Sequence, residues 1–289
     1  MKINVFTINA FAKTENGGNP AGVVLNSDDL SDEQMLLVAK KIGFPETAFI
    51  QKSDKADFKV RFFTPSAEVD LCGHATIATF YLLADKQIIS VGKYTQETKA
   101  GVLSIEILEN KTVFMNQNLP KYFEIIDQSI IAESLNVSSN SFINDLPIQI
   151  VSTGLKDIFV PIKSLHKLRQ IKPDFKKVKQ VSKKFNVIGY HLFSLKTKFG
   201  STAHCRNFAP LYGIDEEAAT GTSSGALSCY LFKYGKINKE QINDLVFEQG
   251  YSMHRPSEIK TKLELSSSNV CRVSVGGVAS KIEKIEIKI

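Results

Sequence analysis

Two short polar motifs, each opening an unusually apolar helix, constrain this chain more than any other feature. Cys72-Gly73-His74-Ala75-Thr76 runs into Ile77-Ala78-Thr79-Phe80-Tyr81-Leu82-Leu83-Ala84. Thr220-Gly221-Thr222-Ser223-Ser224-Gly225 runs into Ala226-Leu227-Ser228-Cys229-Tyr230-Leu231-Phe232. A helix that is apolar on nearly every side belongs inside a core. Its first N–H groups have no intrahelical partners and carry partial positive charge, so its start is suited to carboxylates or phosphates. Gly73 and Gly221 stand about half of the 289 residues apart, and a chain of that length predicts two domains of about 150 residues each. Two buried helices with polar, anion-ready starts imply one small-molecule site built from two similar halves. The helix-opening pattern is the only internal repeat the residues define.

The remaining pattern is rich in strands. Strands are expected near 3–7, 21–25, 47–50, 59–63, 103–108 and 112–116, and again near 149–152, 158–162, 191–195, 204–208, 262–266 and 271–275. Ser31-Asp32-Glu33-Gln34 is a capping box, with Met35, Val38, Ala39 and Ile42 on one helical face and Gly43 as the stop. A weaker helix fits residues 129–135. Asn238 with Gln241 gives the same start signal before Ile242 and Leu245, which predicts another helix. Strands and helices do not alternate regularly enough for a doubly wound sheet or an eight-fold barrel. The expected class is α+β. It comprises two similar domains, 1–119 and 120–289, each a mostly antiparallel sheet or barrel around one central helix (near 74–85 and 222–234). The last strand is expected to pack back on the N-terminal half.

Composition excludes several functions. A net charge of +6 is concentrated around Lys172–Lys184, where Phe175, Val178, Val181 and Phe185 mark the buried stripe of an amphipathic helix. No aromatic residues interleave with those lysines, so a solvated face is expected and no nucleic-acid partner. No apolar run spans a bilayer, and the N-terminus alternates like a strand. The four cysteines, Cys72, Cys205, Cys229 and Cys271, lack C-x-x-C spacing. No metal site, disulfide framework or cofactor is expected, and the setting reads as cytoplasmic. There is no dinucleotide glycine fingerprint and no P-loop.

Several side chains carry possible chemistry. Glu46 follows the helix stop in Gly43-Phe44-Pro45-Glu46, at the mouth of an apolar strand. Burial there would raise its pKa towards the range of a base working near neutral pH. His74 serves as a proton relay, a substrate anchor or a cap for its own helix. Cys72 is either a thiolate base activated by the helix start or a small buried hydrophobe. Glu68 and Asp70, two apart, share a face if the chain is extended. Glu216 and Glu217 precede the second motif, where acidic residues favour a helix dipole. Thr222 either binds a substrate carboxylate or caps the helix.

In the order and spacing of its motifs the chain resembles the PhzF-like family of isomerases, related in fold to diaminopimelate epimerase. The resemblance runs through Val5-Phe6-Thr7, Gly18-Asn19-Pro20-Ala21, Glu46-Thr47-Ala48-Phe49, Phe63-Thr64-Pro65, Glu68 and Cys72-Gly73-His74-Ala75-Thr76. It continues through Ser152-Thr153-Gly154, Arg206-Asn207-Phe208-Ala209-Pro210, Ala219-Thr220-Gly221-Thr222, Glu248-Gln249-Gly250, Arg255-Pro256-Ser257 and Gly276-Gly277. It implies a cofactor-free isomerase, forming a homodimer, that moves a proton on a small anionic carboxylate held between two domains. In the family's founding member that substrate is a dihydro-hydroxyanthranilate. By position, Glu46 matches the family's acid/base glutamate, His74 its histidine, and Thr222 the serine or threonine beside the substrate. Gly73 and Gly221 match glycines whose N–H groups meet the substrate, and Asn19, Cys72 and Thr220 complete the expected binding set. Where the family commonly has Asp-Pro, this chain has Glu217-Ala218, so a catalytic role for Glu217 would involve a side chain one methylene longer.

Two other readings compete. A two-base racemase or epimerase of the diaminopimelate or proline type places one thiol at each helix opening. Cys72 fits the first position, but Thr220 stands at the second, and a hydroxyl without an activating base is a poor substitute. A non-catalytic small-molecule-binding protein would keep the fold and lose turnover.

Overall fold

The computed structural model describes residues 1–289, which form two compact units. The first comprises Met1–Asn116 together with Gly276–Ile289. Its elements are β1 (Lys2–Ala10), β2 (Asn19–Val24), α1 (Asp32–Ile42), β3 (Glu46–Gln51), β4 (Phe58–Phe63), β5 (Glu68–Val69), α2 (Gly73–Asp85), β6 (Gly92–Thr98), β7 (Gly101–Ile107) and β8 (Val113–Gln117). The second unit, Gln117–Val275, carries β9 (Lys121–Ile125), α3 (Gln128–Leu135), β10 (Gln149–Ser152), β11 (Lys156–Pro161), α4 (Leu165–Gln170) and α5 (Phe175–Lys184). It continues with β12 (Gly189–Ser194), β13 (Ala203–Ala209), β14 (Ile214–Glu217), α6 (Gly221–Lys233), β15 (Leu245–Gln249), β16 (Ser257–Ser266) and β17 (Asn269–Gly277). The chain then returns to the first unit as β18 (Ala279–Lys288), antiparallel to β1.

Local chemistry sets the key boundaries. Ser31 and Gln34 form the reciprocal capping box at the start of α1. Gly43 ends that helix in the left-handed region at φ 70°, a conformation glycine adopts without steric cost. Pro45 blocks further helix, and Glu46 opens β3 directly. In α2, nine of thirteen residues from His74 to Leu83 are buried, and in α6 ten are. Each helix is therefore the centre of its unit's core, which is why neither shows a polar face.

The two units repeat one strand plan. In the first, β1 runs antiparallel to β2, β2 parallel to β3, β3 antiparallel to β4, β4 parallel to β6, and β6 antiparallel to β7. In the second, β10 to β11, β11 to β12, β12 to β13, β13 to β15 and β15 to β16 follow the same sequence of directions. A short strand precedes the central helix in both, β5 on β4 and β14 on β13. The fold is α+β, two units that share one sheet-around-helix plan.

The structure corrects two readings of the sequence. Asn238 and Gln241 do make reciprocal capping bonds, Gln241 N–H to Asn238 Oδ1 at 3.1 Å and Asn238 N–H to Gln241 Oε1 at 2.9 Å. Yet only turn follows. Asn243 and Asp244 favour turns over helix interior, and Leu245 and Phe247 are buried in β15 against β16. The second correction is that the helix openings are not the only repeat. Arg61-Phe62-Phe63-Thr64-Pro65 and Arg206-Asn207-Phe208-Ala209-Pro210 occupy matching places on β4 and β13. In each, the arginine packs over the phenylalanine two residues on, 5.2 and 4.8 Å from the ring centre. Each also makes a two-pronged ion pair to a glutamate of the following short strand, Glu68 and Glu216 respectively.

Candidate active site

In the first unit the start of α2 faces the start of β3. Cys72 is the N-cap residue of α2 in extended conformation, and its side chain makes no capping bond. The thiol is turned instead to His74, with Sγ 3.5 Å from Nδ1 and 3.9 Å from Nε2. His74 Nε2 lies 3.2 Å from Glu46 Oε2. Asn19, first residue of β2, brings Nδ2 to 3.4 Å from His74 Nδ1. The parallel pairing of β2 with β3, Ala21 opposite Glu46, fixes that approach. Glu46, His74, Cys72 and Asn19 therefore form one cluster, with Gly73 in the same helix turn. His74 and Cys72 are buried, and the Glu46 side chain keeps 21% of its exposure.

The electrostatics differ from the expectation of a raised Glu46. Burial does push its pKa up, but the adjacent His74 outweighs burial and the net direction is down. Burial pulls His74 down, but its contacts with Cys72 and then Glu46 outweigh burial and carry it well above the usual imidazole value. Cys72 is pushed up by burial and then by the Glu46 charge, so the thiol stays protonated. Glu46 and His74 are thus a carboxylate and its proton-sharing partner. Glu46 Oε2 is itself buried and receives no well-aligned hydrogen bond.

The second unit gathers a different set at the start of α6. Thr220 is the N-cap, and its hydroxyl donates to Glu217 Oε2 at 2.6 Å. Gln249 completes a clamp: Nε2 donates to the Glu217 carbonyl at 2.8 Å and to Thr220 Oγ1 at 3.0 Å, while Oε1 accepts Thr220 N–H. Thr153 Oγ1 donates to the Thr222 carbonyl at 3.1 Å, leaving the half-buried Thr222 hydroxyl at the helix opening beside Gly221. Glu68 and Glu216 go to the arginine pairs described above, and Glu68 also meets Lys99 at 2.6 Å.

Sequence reasoning passed over Asp157 and, although it quoted Gln249 and Arg206 within motifs, gave no role to Gln249 or to the arginine pairs. Asp157 is fully buried, accepts from Ser223 Oγ in the first turn of α6 and from Gly189 N–H, and burial pushes its pKa to about 6. The signal was available: like Glu46, it is a carboxylate at the head of an apolar strand, Ile158-Phe159-Val160. Metal-ligand spacing was equally uninformative, since Glu46, Cys72 and His74 offer ligand atoms within 4.8 Å of one another although Glu46 is distant from the others in sequence.

An α+β fold built from two such sheet-and-helix units defines a class of fold, the diaminopimelate epimerase-like type. At 10% identity and a TM-score of 0.62, the fold is shared with a hydroxyproline epimerase from Agrobacterium vitis. The family described as phenazine biosynthesis-like protein (PhzC-PhzF) matches residues 8–284. The chain belongs to this family and is an isomerase. It is 35% identical to the uncharacterized isomerase YfhB of Bacillus subtilis, over 99% of this chain and 98% of that protein. It is 29% identical to the trans-2,3-dihydro-3-hydroxyanthranilate isomerase of Pseudomonas fluorescens, over 95% of each. A PhzF-family crystal structure from Bacillus anthracis superposes with a TM-score of 0.90 at 32% identity, covering both chains completely. No helix is long and apolar enough to cross a membrane.

Proposed function

We propose that the chain is a cofactor-independent isomerase of a small carboxylate, with Glu46 as the group that takes a proton from one carbon and returns it to another. The observation that carries this reading is the pairing of Glu46 Oε2 with His74 Nε2 at 3.2 Å, on a carboxylate side chain that keeps 21% of its exposure. With its pKa held down, Glu46 is a carboxylate at neutral pH and ready to act as base. His74 N–H supports the charged state and loses that role once Glu46 is protonated, so the proton is readily given back. A substrate carboxylate is met by the N–H groups at the start of α2, Gly73 included, where no acidic side chain of the first turn competes. Gly221 and Thr222 give the start of α6 its own capacity for an anion. Glu217 is assigned to holding Thr220, an interaction that occupies the Thr220 hydroxyl. A paired-thiol racemisation is disfavoured on that ground, and because the Cys72 thiol is pushed away from ionisation. The proposal includes a cytoplasmic homodimer.

The test is solvent-deuterium incorporation into small carboxylates, beginning with trans-2,3-dihydro-3-hydroxyanthranilate. Glu46→Gln is expected to lower the exchange rate by about 10²–10⁴-fold, the usual worth of a positioned acid/base. Exchange that survives this substitution undiminished would remove Glu46 from the mechanism.

A further inference from the structure

The Glu46, Cys72 and His74 cluster has a second capability that proton transfer does not use. A thiol, an imidazole and a carboxylate converge within 4.8 Å, in a pocket where two of the three side chains are almost fully buried. We propose that this cluster is a binding site for a thiophilic divalent cation, Zn²⁺ above all, and that the bound ion switches the isomerase off.

The geometry is close to what such an ion requires. Bonds of about 2.0 Å to nitrogen and oxygen and about 2.3 Å to sulfur place tetrahedral ligands about 3.3–3.5 Å apart. Around His74 Nε2, the Glu46 oxygen stands at 3.2 Å and the Cys72 sulfur at 3.9 Å. A contraction of a few tenths of an ångström at sulfur, within reach of a χ1 adjustment, closes that edge. Glu46 Oε2 now faces His74 Nε2 across 3.2 Å, and a cation would take the place of the proton between them. The donor set selects the ion: thiolate and imidazole favour Zn²⁺ over Mg²⁺ or Ca²⁺, which prefer oxygen ligands.

Charge also balances. On binding, the Cys72 S–H bond breaks, its proton leaves to solvent and the S–Zn bond forms. Any proton on His74 Nε2 is displaced as that nitrogen's lone pair turns to the metal. Thiolate and carboxylate together neutralise the dication, and coordination itself deprotonates the thiol. Asn19, 3.4 Å from Nδ1, is placed to accept Nδ1–H through its amide oxygen once the amide is turned, the usual support of a metal-bound imidazole. The fourth position is left to solvent. The bound ion would claim the Glu46 and His74 lone pairs, so inhibition, unlike binding, rests on the proton-transfer reading.

The experiment is anaerobic titration of the chelator-treated protein with Co²⁺, without substrate. The expected result is one equivalent bound, with a near-ultraviolet thiolate-to-cobalt absorption and the visible bands of a four-coordinate ion, both discharged by Zn²⁺. Cys72→Ser should abolish the thiolate band, and His74→Gln and Glu46→Gln should each weaken binding at least tenfold. Cys271→Ser, which removes the exposed cysteine, should change nothing. Circular dichroism of each variant separates loss of ligand from loss of fold. A thiolate band that persists in Cys72→Ser, or no cobalt bound by the folded wild-type protein, overturns the metal site and leaves the deuterium-exchange test of Glu46 untouched. Binding as expected with exchange unaffected by Zn²⁺ overturns the switch.

Discussion

Compared strand by strand, the two units hold opposite residues at one matching place. Thr47 pairs with Phe63 as Tyr190 pairs with Phe208, which aligns Glu46 with Gly189. A Cβ on Gly189 would fall 1.8 Å from the Phe208 carbonyl oxygen, so the second unit admits no side chain where the first carries Glu46. One buried carboxylate of the second unit sits one strand over, at Asp157, opposite Gly189 as Ala21 is opposite Glu46. There it is held by Ser223 and the Gly189 N–H. Duplicated architecture thus places an acid on either of two neighbouring strands, beside a histidine in one unit and a serine in the other.

The largest expected break in this comparison is Gly189→Ala against Glu46→Ala. The first drives a methyl into backbone and is expected to cost about 5 kcal/mol or prevent folding, at the severe end for single substitutions. The second trims a half-buried side chain and is expected to stay within about 1 kcal/mol. Urea unfolding of both checks the contrast, and equal losses would refute the alignment. Next come the two arginines. Arg206 is buried, pairs with Glu216 and also donates to the Leu168 and Ile171 carbonyls, so Arg206→Met should cost about 4 kcal/mol by orphaning all three partners. Arg61, more exposed and shared with surface Asp32, should cost about 1 kcal/mol on Arg61→Met.

A pH-dependent effect sharpens the assignment of Asp157. Its folded pKa, about 6, lies above the ordinary carboxylate value of 3.8. The folded state therefore holds its proton more tightly than the unfolded chain does. Stability from this group is full below the unfolded value and is lost as pH rises through the folded one. A displacement of about two pH units corresponds to about 3 kcal/mol at most. Wild-type protein should lose that much relative to Asp157→Asn between pH 4 and pH 8, as read by denaturant midpoints. A pH-independent difference would mean that Asp157 does not titrate in this range.

Much of this was legible in the residues. The capping box at Ser31, the Gly43 stop and the apolar helices declare themselves because each depends on neighbours close in sequence. The Asn238 turn shows the limit: its capping bonds form as written, and tertiary burial of Leu245 and Phe247 decides against helix. Strand β6 went unread because its buried side chains include Gln96 and Thr98, a polar inward face that hides the alternation. At the site, Glu46 and His74 stood out, but the direction of their pKa values did not. Burial can be inferred from apolar neighbours, whereas a partner 28 positions away is supplied only by folding.

Strand β18 gives the molecule a schedule. The second unit is one continuous stretch, 117–275, whereas the unit with Glu46 needs β18 laid along β1, from Lys2 opposite Lys288 to Ala10 opposite Ala279. A ribosome delivers β18 after every other element described here, so the second unit has all its parts before the first does. Until β18 emerges, the nascent chain holds β1 with one edge unpaired, and the unit with Glu46 is the later of the two to close.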